Sequence, residues 1–98
     1  MSLPENMTVV EISEFGGPEV LKPTTRPVPE PATGQVLIRV TAAGVNRPDA
    51  IQRAGNYPPP DGQSDLPGLE ISGKIVALGD GVTGISVGDM VCALTPGG

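Results

Sequence analysis

The chain has 98 residues, which suits one domain, and it carries a net charge of −5 with only six Lys and Arg. This balance argues against a nucleic-acid partner, because phosphate contacts need clustered cations. Aromatic residues make up only 2% of the chain, while 14 Gly and 12 Pro indicate short elements joined by many turns and exclude a helical bundle.

The first third of the chain predicts extended structure. A strand is expected over "MTVVEISEF", ending at the turn "GGPE". Four prolines between Pro23 and Pro31 then forbid a helix and allow at most an edge strand, because each removes a backbone donor. A half-buried strand follows over "VLIRVTAAGV", where Val36, Ile38 and Val40 share one face.

In the next stretch, "RPDAIQRAG" predicts two turns of helix. Asn46 is a good N-cap, Pro48 is tolerated in a first turn, and Asp49 favours the positive end of the helix dipole. Gly55 is expected to stop the helix, and "NYPPPDGQSDLPG" is expected to be a loop. The remaining polar residues of the helix are predicted to be solvated or ion-paired: Arg47, Gln52 and Arg53.

Two further strands are predicted, over "LEISGKIVAL" and "MVCAL". Gly73 in the first of them predicts a bulge or a close backbone approach. The fold class is therefore a mainly β domain, a partly open antiparallel barrel with one short helix.

The segment "GDGVTG", residues 79–84, matches the pattern GxGxxG. A dinucleotide site would need a helix beginning at these glycines and an acidic residue about twenty positions later. The sequence continues instead as "ISVGDMVCAL", which alternates like a strand and contains a turn. We therefore predict a tight turn at residues 79–84.

The chain has no His and a single Cys, Cys92, so Ser-His-Asp and Cys-His catalysis are excluded within it. Cys92 lies in the apolar run "MVCAL" and is predicted to be a small core residue rather than a reactive thiol. "MSLPENM" does not resemble a secretion signal, and no run of about eighteen apolar residues occurs. We expect a cytoplasmic protein without a membrane partner.

Three blocks carry a resemblance to a known family: "EFGGPEVL", "GQVLIRVTAAGVNRPDAIQRAGNYPPP" and "LPGLEISGKIVALGDGVTGISVGDMVCALTPGG". Together they resemble the N-terminal, GroES-like domain of the zinc-free medium-chain reductases, the NAD(P)H:quinone oxidoreductases related to zeta-crystallin. The pattern is most similar to the stress-inducible quinone oxidoreductase branch. The resemblance covers roughly nine-tenths of the chain in the correct order.

The resemblance implies that residues 1–98 are the N-terminal catalytic domain, incomplete at its C-terminal end. A Rossmann domain that binds most of the NADPH would lie outside this chain, so the chain alone is expected to be inactive. The full-length protein would form a homodimer and transfer hydride from NADPH to a small-molecule quinone or enone.

The same resemblance bears on zinc. Related zinc alcohol dehydrogenases bind the catalytic metal with a Cys at the start of the short helix and a His-Glu pair in the later strand. Here those positions read Asn46 and Leu69–Glu70, so two protein ligands are missing. We therefore expect no zinc.

Without a metal, neutral hydrogen-bond donors would stabilise the carbonyl oxygen as it gains charge. The candidates for catalytic residues are Asn46 and Tyr57, and the candidates for contact with the cofactor are Asn46, Asp49 and Ile51. Asp49 has an alternative role in orienting the helix or bonding Asn46. Glu70 is predicted to be a buried carboxylate paired with an arginine of the helix.

Two other function classes stay open. The chain is also compatible with a zinc-free reductase of the same superfamily that acts on enoyl thioesters or alkenals. The other open class is a non-catalytic β module, used for binding or as a structural protein.

Overall fold

The computed structural model describes residues 3–56, 58 and 63–95. This part of the chain contains five strands, one short α-helix and one 3-10 turn at Pro18–Val20. The elements are β1 (Asn6–Ile12), β2 (Leu21–Pro27), β3 (Val36–Ala43), α1 (Arg47–Arg53), β4 (Glu70–Leu78) and β5 (Met90–Leu94).

The strands form two separate antiparallel sheets. β1 pairs with β2, and the second sheet has the order β3, β4, β5. Within the described ranges no strand of one sheet pairs with a strand of the other. The fold class expected from the sequence is confirmed: the domain is mainly β, antiparallel and open, with one short helix.

The proline-rich stretch does form a strand, although only in the two-stranded sheet. β2 contains Pro23 and Pro27 and pairs with β1 from Asn6 opposite Pro27 to Ile12 opposite Leu21. Both strands of such a sheet are edge strands. The backbone N–H that each proline lacks is therefore tolerated, because one side of an edge strand has no strand to pair with. This agrees with the prediction of an edge strand.

The pairing of β3 with β4 is irregular, with register shifts between Leu37 and Ile38 and between Val40 and Ala42. Gly73 lies opposite Val40, and a Cβ atom on Gly73 would clash with the carbonyl oxygen of Arg39. The predicted close backbone approach at Gly73 is confirmed. The shifts interrupt the alternation of side chains, and Val40 is 50% exposed, so the single face predicted for β3 is wrong at this residue.

The core is small. Its buried apolar residues in the described part of the chain are Val20, Leu66 and Ile75, and Ile75 is fully buried. They come from the 3-10 turn, from the loop after α1 and from β4. The core therefore sits between the two sheets, where α1 and its following loop also pack.

The prediction that Cys92 is a core residue is wrong, because its side chain is exposed. β5 is an edge strand of the three-stranded sheet. Met90 and Leu94, which share the face of Cys92 in an alternating strand, are 66% and 83% exposed. No described element covers this face of β5.

Residues 79–84 form a turn, as the sequence predicts. Gly81 and Gly84 have φ values of 80° and 82°, which favour glycine, and the segment leads to β5 without a helix. The Gly79 N–H donates to the carbonyl of Gln35 at 2.7 Å and the Gly34 N–H to that of Asp80 at 2.9 Å, so this turn packs against the turn before β3.

Arg26 joins the two-stranded sheet to the loop before β4. Its guanidinium donates to Glu11 on β1 and to Asp65 in that loop, with 2.9 Å between Nη1 and Asp65 Oδ1. The hydrogen bond from Arg26 lowers the pKa of Asp65, while the bonds to Asp65 and then to Glu11 raise the pKa of Arg26.

Asp65→Asn is expected to lower the urea midpoint at pH 7 by a small amount, because the Asp65 side chain is 72% exposed and solvent screens the pair. Since folding lowers the pKa of Asp65, the pair stabilises the fold above the ordinary carboxyl pKa and loses this effect as the pH falls through the folded value. The deficit relative to the unchanged chain should therefore be smaller at pH 2 than at pH 7.

Urea unfolding at both pH values, with the exposed Asp80→Asn as the matched control, checks this expectation. An Asp65→Asn deficit of equal size at pH 7 and pH 2 would contradict it.

Candidate functional site

The start of α1 is fixed by a pair of reciprocal hydrogen bonds. Asn46 is the N-cap, with φ −130° and ψ 161°, and its backbone N–H donates to Asp49 Oδ2 at 3.0 Å. The Asp49 N–H donates to the Asn46 carbonyl at 3.0 Å. The predicted cap at Asn46 is confirmed, and it satisfies donors that a helix start leaves free.

Asp49 has a second partner. Its Oδ1 accepts from the backbone N–H of Gly68 at 3.1 Å, so one carboxylate ties the start of α1 to the loop before β4. Gly68 has φ 119°, which only glycine adopts readily. Both Asp49 oxygens are therefore engaged in orienting the helix, as one of its two predicted roles requires.

The end of the helix also follows the prediction. α1 ends at Arg53, and Gly55 takes the left-handed conformation with φ 93°. A Cβ on Gly55 would lie 2.8 Å from the ring of Phe15, so both the backbone and the packing require glycine there.

Two helix residues predicted to be solvated are held by the fold instead. Gln52 is buried and its Nε2 donates to the Asp65 carbonyl at 3.0 Å. Arg53 is half-buried, and its Nε donates to the Gly16 carbonyl at 3.1 Å while its own carbonyl accepts from the Gly16 N–H at 3.0 Å. Both side chains thus donate to backbone carbonyls of loops, Gln52 to the loop before β4 and Arg53 to the turn after β1. Arg47 is exposed, as predicted.

The predicted pairing of Glu70 with a helix arginine is also wrong. Glu70 is exposed, and its Oε2 accepts from Asn46 Nδ2 at 3.1 Å. The backbone explains this placement, because the Gly44 N–H donates to the Glu70 carbonyl at 2.9 Å and so sets Glu70 beside the residues that lead into α1. Arg53 is turned toward Gly16 instead.

An open groove of about 360 Å³ lies between the two sheets along α1. Its walls are largely apolar and include Val10, Leu21, Ala43, Val45 and Pro67. Its polar side chains all come from the helix and its cap: Asn46, Asp49 and Arg53. The groove can therefore take a flat apolar molecule and offer it a few hydrogen bonds at one side.

The groove contains two of the four predicted site residues, Asn46 and Asp49. Ile51 lies on α1, half-buried, but does not line the groove. Tyr57 lies outside the described residues, so its role stays a prediction. Sequence reasoning missed Arg53 as a groove residue, although its spacing from Asn46, Asp49 and Ala50 places it on the same helix face.

The side chains around the groove do not fit a zinc site. Among the described residues no three His, Cys, Asp or Glu are grouped closely enough to hold a metal ion. The nearby carboxylates already accept hydrogen bonds, Asp49 from two backbone N–H groups and Glu70 from an amide. A catalytic zinc normally has three protein ligands. The expected absence of zinc stays a prediction.

In the part of the chain that the structure describes, no helix has the length and apolar character needed to cross a membrane.

Residues 32–97 match the family model for the alcohol dehydrogenase GroES-like domain. The match covers most of the chain, and the fold agrees with it. The chain belongs to this family, so the fold and family implied by the sequence blocks are confirmed.

The chain is also similar to individual known proteins. The chain is 44% identical over 86 residues to the quinone oxidoreductase of Lama guanicoe, covering 87% of this chain and 26% of that protein. The human synaptic vesicle membrane protein VAT-1 homolog-like protein has a similar structure, with 41% identity, a TM-score of 0.82 and coverage of 91% of this chain and 29% of that one. A mycobacterial protein solved in complex with NADPH gives 41% identity and a TM-score of 0.78, covering 91% and 28% of the two chains.

The chain spans about a quarter of the length of the curated relatives it matches. It is a quinone oxidoreductase-like member of the medium-chain reductase superfamily.

Proposed function

We propose that residues 1–98 form the N-terminal substrate and catalytic domain of an NADPH-dependent quinone oxidoreductase that reduces its substrate without a metal. The nucleotide would bind mainly to a Rossmann domain outside this chain, in a cytoplasmic homodimer. The observation that carries the proposal is the Asn46 amide at an apolar groove, in a chain 44% identical to a quinone oxidoreductase. The NADPH complex of a 41% identical neighbour supports the choice of cofactor.

The groove supplies what this reaction needs from the domain. Its apolar walls would pack against a ring system of the substrate and so help to orient the acceptor atom. When bound, NADPH supplies the hydride. Asp49 and Ile51 are proposed to face the nicotinamide end of the bound NADPH.

Asn46 is the proposed donor to the substrate carbonyl oxygen, which gains negative charge as it is reduced. An amide nitrogen carries two hydrogens. One of those on Asn46 Nδ2 is donated to Glu70, which leaves the other for the substrate. The phenol of Tyr57 is proposed as the second donor.

The absence of a metal is part of the proposal. A zinc ion would polarise the carbonyl directly and would need ligands at the positions of Asn46, Leu69 and Glu70, of which only Glu70 is a usual zinc ligand. The donor arrangement on α1 favours hydrogen bonding in place of Lewis-acid chemistry.

The test is NADPH oxidation by the complete protein with ortho-quinones, run beside enoyl thioesters and alkenals and after treatment with a chelator. We expect turnover with ortho-quinones that a chelator does not change. Faster turnover of enoyl thioesters or alkenals would assign the chain to that branch of reductases. Binding of NADPH without turnover of any acceptor would favour a non-catalytic module, and loss of activity on chelation would refute the metal-free mechanism.

Asn46→Ala and Tyr57→Phe should each lower kcat for quinone about ten-fold, since each removes a donor worth roughly 1.4 kcal/mol in the transition state. Asn46→Ala also places a residue that is unfavourable at an N-cap, so Asn46→Asp, which suits the N-cap but lacks the amide donor, separates the two effects.

Steady-state kinetics with a thermal unfolding measurement on each variant checks this, and the exposed Asn56→Ala is the matched control. Wild-type rates in Asn46→Asp and Tyr57→Phe would reduce both residues to structural roles.

A further inference from the structure

We propose that Glu70 is a positioning residue: it fixes the orientation of the Asn46 amide so that the second Nδ2 hydrogen is available to the carbonyl oxygen of a quinone in the groove. This inference rests on the proposed function, because it concerns the donor that the reaction would use. The contact behind it is the hydrogen bond from Asn46 Nδ2 to Glu70 Oε2 at 3.1 Å.

The backbone holds Glu70 on both sides. On one side the Gly44 N–H donates to the Glu70 carbonyl at 2.9 Å, which continues the pairing of β3 with β4 by one residue. On the other side the Thr95 N–H donates to the Leu69 carbonyl at 2.7 Å, just after the end of β5. The first residue of β4 is thus held between two neighbouring chain segments.

Gly44 makes room for the carboxylate. A Cβ at this position would clash with Glu70 Oε2 and would lie 3.0 Å from Glu70 Cδ and 3.3 Å from Asn46 Nδ2. The φ of Gly44 is not positive, so the backbone conformation does not demand glycine. The missing side chain instead lets the carboxylate of Glu70 reach across residue 44 to the amide.

An amide side chain without a fixed partner can rotate, and it can present either its oxygen or its nitrogen to a ligand. The oxygen would repel a carbonyl that gains negative charge. A carboxylate has only acceptors, so the Nδ2 group of Asn46 must face Glu70, and one of its two hydrogens then remains for a second acceptor. Glu70 therefore selects the donating orientation of Asn46.

The hydrogen bond from Asn46 to Glu70 assists the reaction, whereas the negative charge of Glu70 opposes it. A carboxylate near a developing oxyanion destabilises that oxyanion. The useful property of Glu70 is then its acceptor oxygen. Gln keeps such an oxygen and removes the charge, so Glu70→Gln should preserve the function that Glu70→Ala loses.

The experiment measures kcat and KM for an ortho-quinone in the complete protein with Glu70→Ala, Glu70→Gln and Gly44→Ala, each alone and Glu70→Ala also with Asn46→Ala. We expect Glu70→Ala and Gly44→Ala to lower kcat roughly five- to ten-fold with KM within about two-fold, as expected for one lost hydrogen bond. Glu70→Gln should keep at least about half of kcat. The double variant should be no slower than Asn46→Ala within about two-fold, because Glu70 acts through Asn46.

Glu30→Ala, an exposed carboxylate elsewhere in the chain, is the charge control and should leave both constants unchanged. Thermal unfolding confirms that each variant folds. Gly44→Ala keeps every charge, so its agreement with Glu70→Ala excludes an effect of net charge.

Wild-type kcat in Glu70→Ala beside a slow Asn46→Ala would overturn the positioning role and leave the proposed function intact. Additive losses in the double variant, or a Glu70→Gln as slow as Glu70→Ala, would also overturn it. A wild-type kcat in Asn46→Ala would show that Asn46 is not the donor. This result would overturn both the present inference and the proposed mechanism.

Discussion

Replacing Gly79 with alanine should destabilise the domain by about 3 kcal/mol, the upper part of the range for overpacking. A Cβ at residue 79 would clash with the carbonyl oxygen of Ala32 and lie 2.8 Å from that of Gln35. Both obstacles are backbone atoms of the turn before β3, and the Gly79 N–H already donates to Gln35 there. The strain can be relieved only by separating the two turns.

Gly81→Ala is the matched control within the same glycine-rich segment. Gly81 has φ 80°, but a Cβ there would meet no atom within 4 Å, so only the backbone conformation resists the change. A cost of about 1 kcal/mol is expected for this variant. Urea unfolding of both variants checks the comparison, and equal costs would show that the contact with the turn before β3 is unimportant.

Ile75→Ala should cost about 3 kcal/mol, as large-to-small changes in a core do. Ile75 is the one fully buried large side chain among the described residues, and few others share the core with it. The chain has one Phe and one Tyr and no Trp, so no large neighbour is at hand to fill the space. The cavity would largely persist, which places the cost well within the two to five kcal/mol range.

Val40→Ala on the neighbouring strand serves as the control for Ile75→Ala. Val40 is 50% exposed and should lose less than about 1 kcal/mol on truncation. Thermal and urea unfolding followed by circular dichroism give both values. If the two variants lost equal stability, the core would not be centred on Ile75.

Much of the fold was predictable because local chemistry determines it. The cap at Asn46, the stop at Gly55 and the close approach at Gly73 each follow from what one residue type can do. The strands follow from alternating apolar residues bounded by turn residues. Prolines in β2 correctly limited it to an edge strand.

The errors concern neighbours that are distant in the sequence. Glu70 bonds an amide 24 positions away, and Arg53 bonds a backbone carbonyl 37 positions away. No local pattern specifies such partners. Cys92 looked buried because its strand is apolar, but an edge strand can leave one apolar face uncovered, and only the arrangement of the sheets shows that face.

The groove residues were partly predictable. Asn46 and Asp49 followed from the helix start and from the family resemblance, and the helical spacing from Asn46 would also have indicated Arg53. The acceptor for Asn46 was not predictable, because it depends on the register between β3 and β4 and on the room left by Gly44.

The two hydrogen bonds between Gly16 and Arg53 join the end of α1 to the turn that follows β1. No strand pairing connects the two sheets in the described ranges, so side-chain and loop contacts, including these bonds and those of Arg26, link the parts of the domain. In this part of the chain the two sheets are thus linked through α1 and through loops, and not through a shared ladder of strand hydrogen bonds.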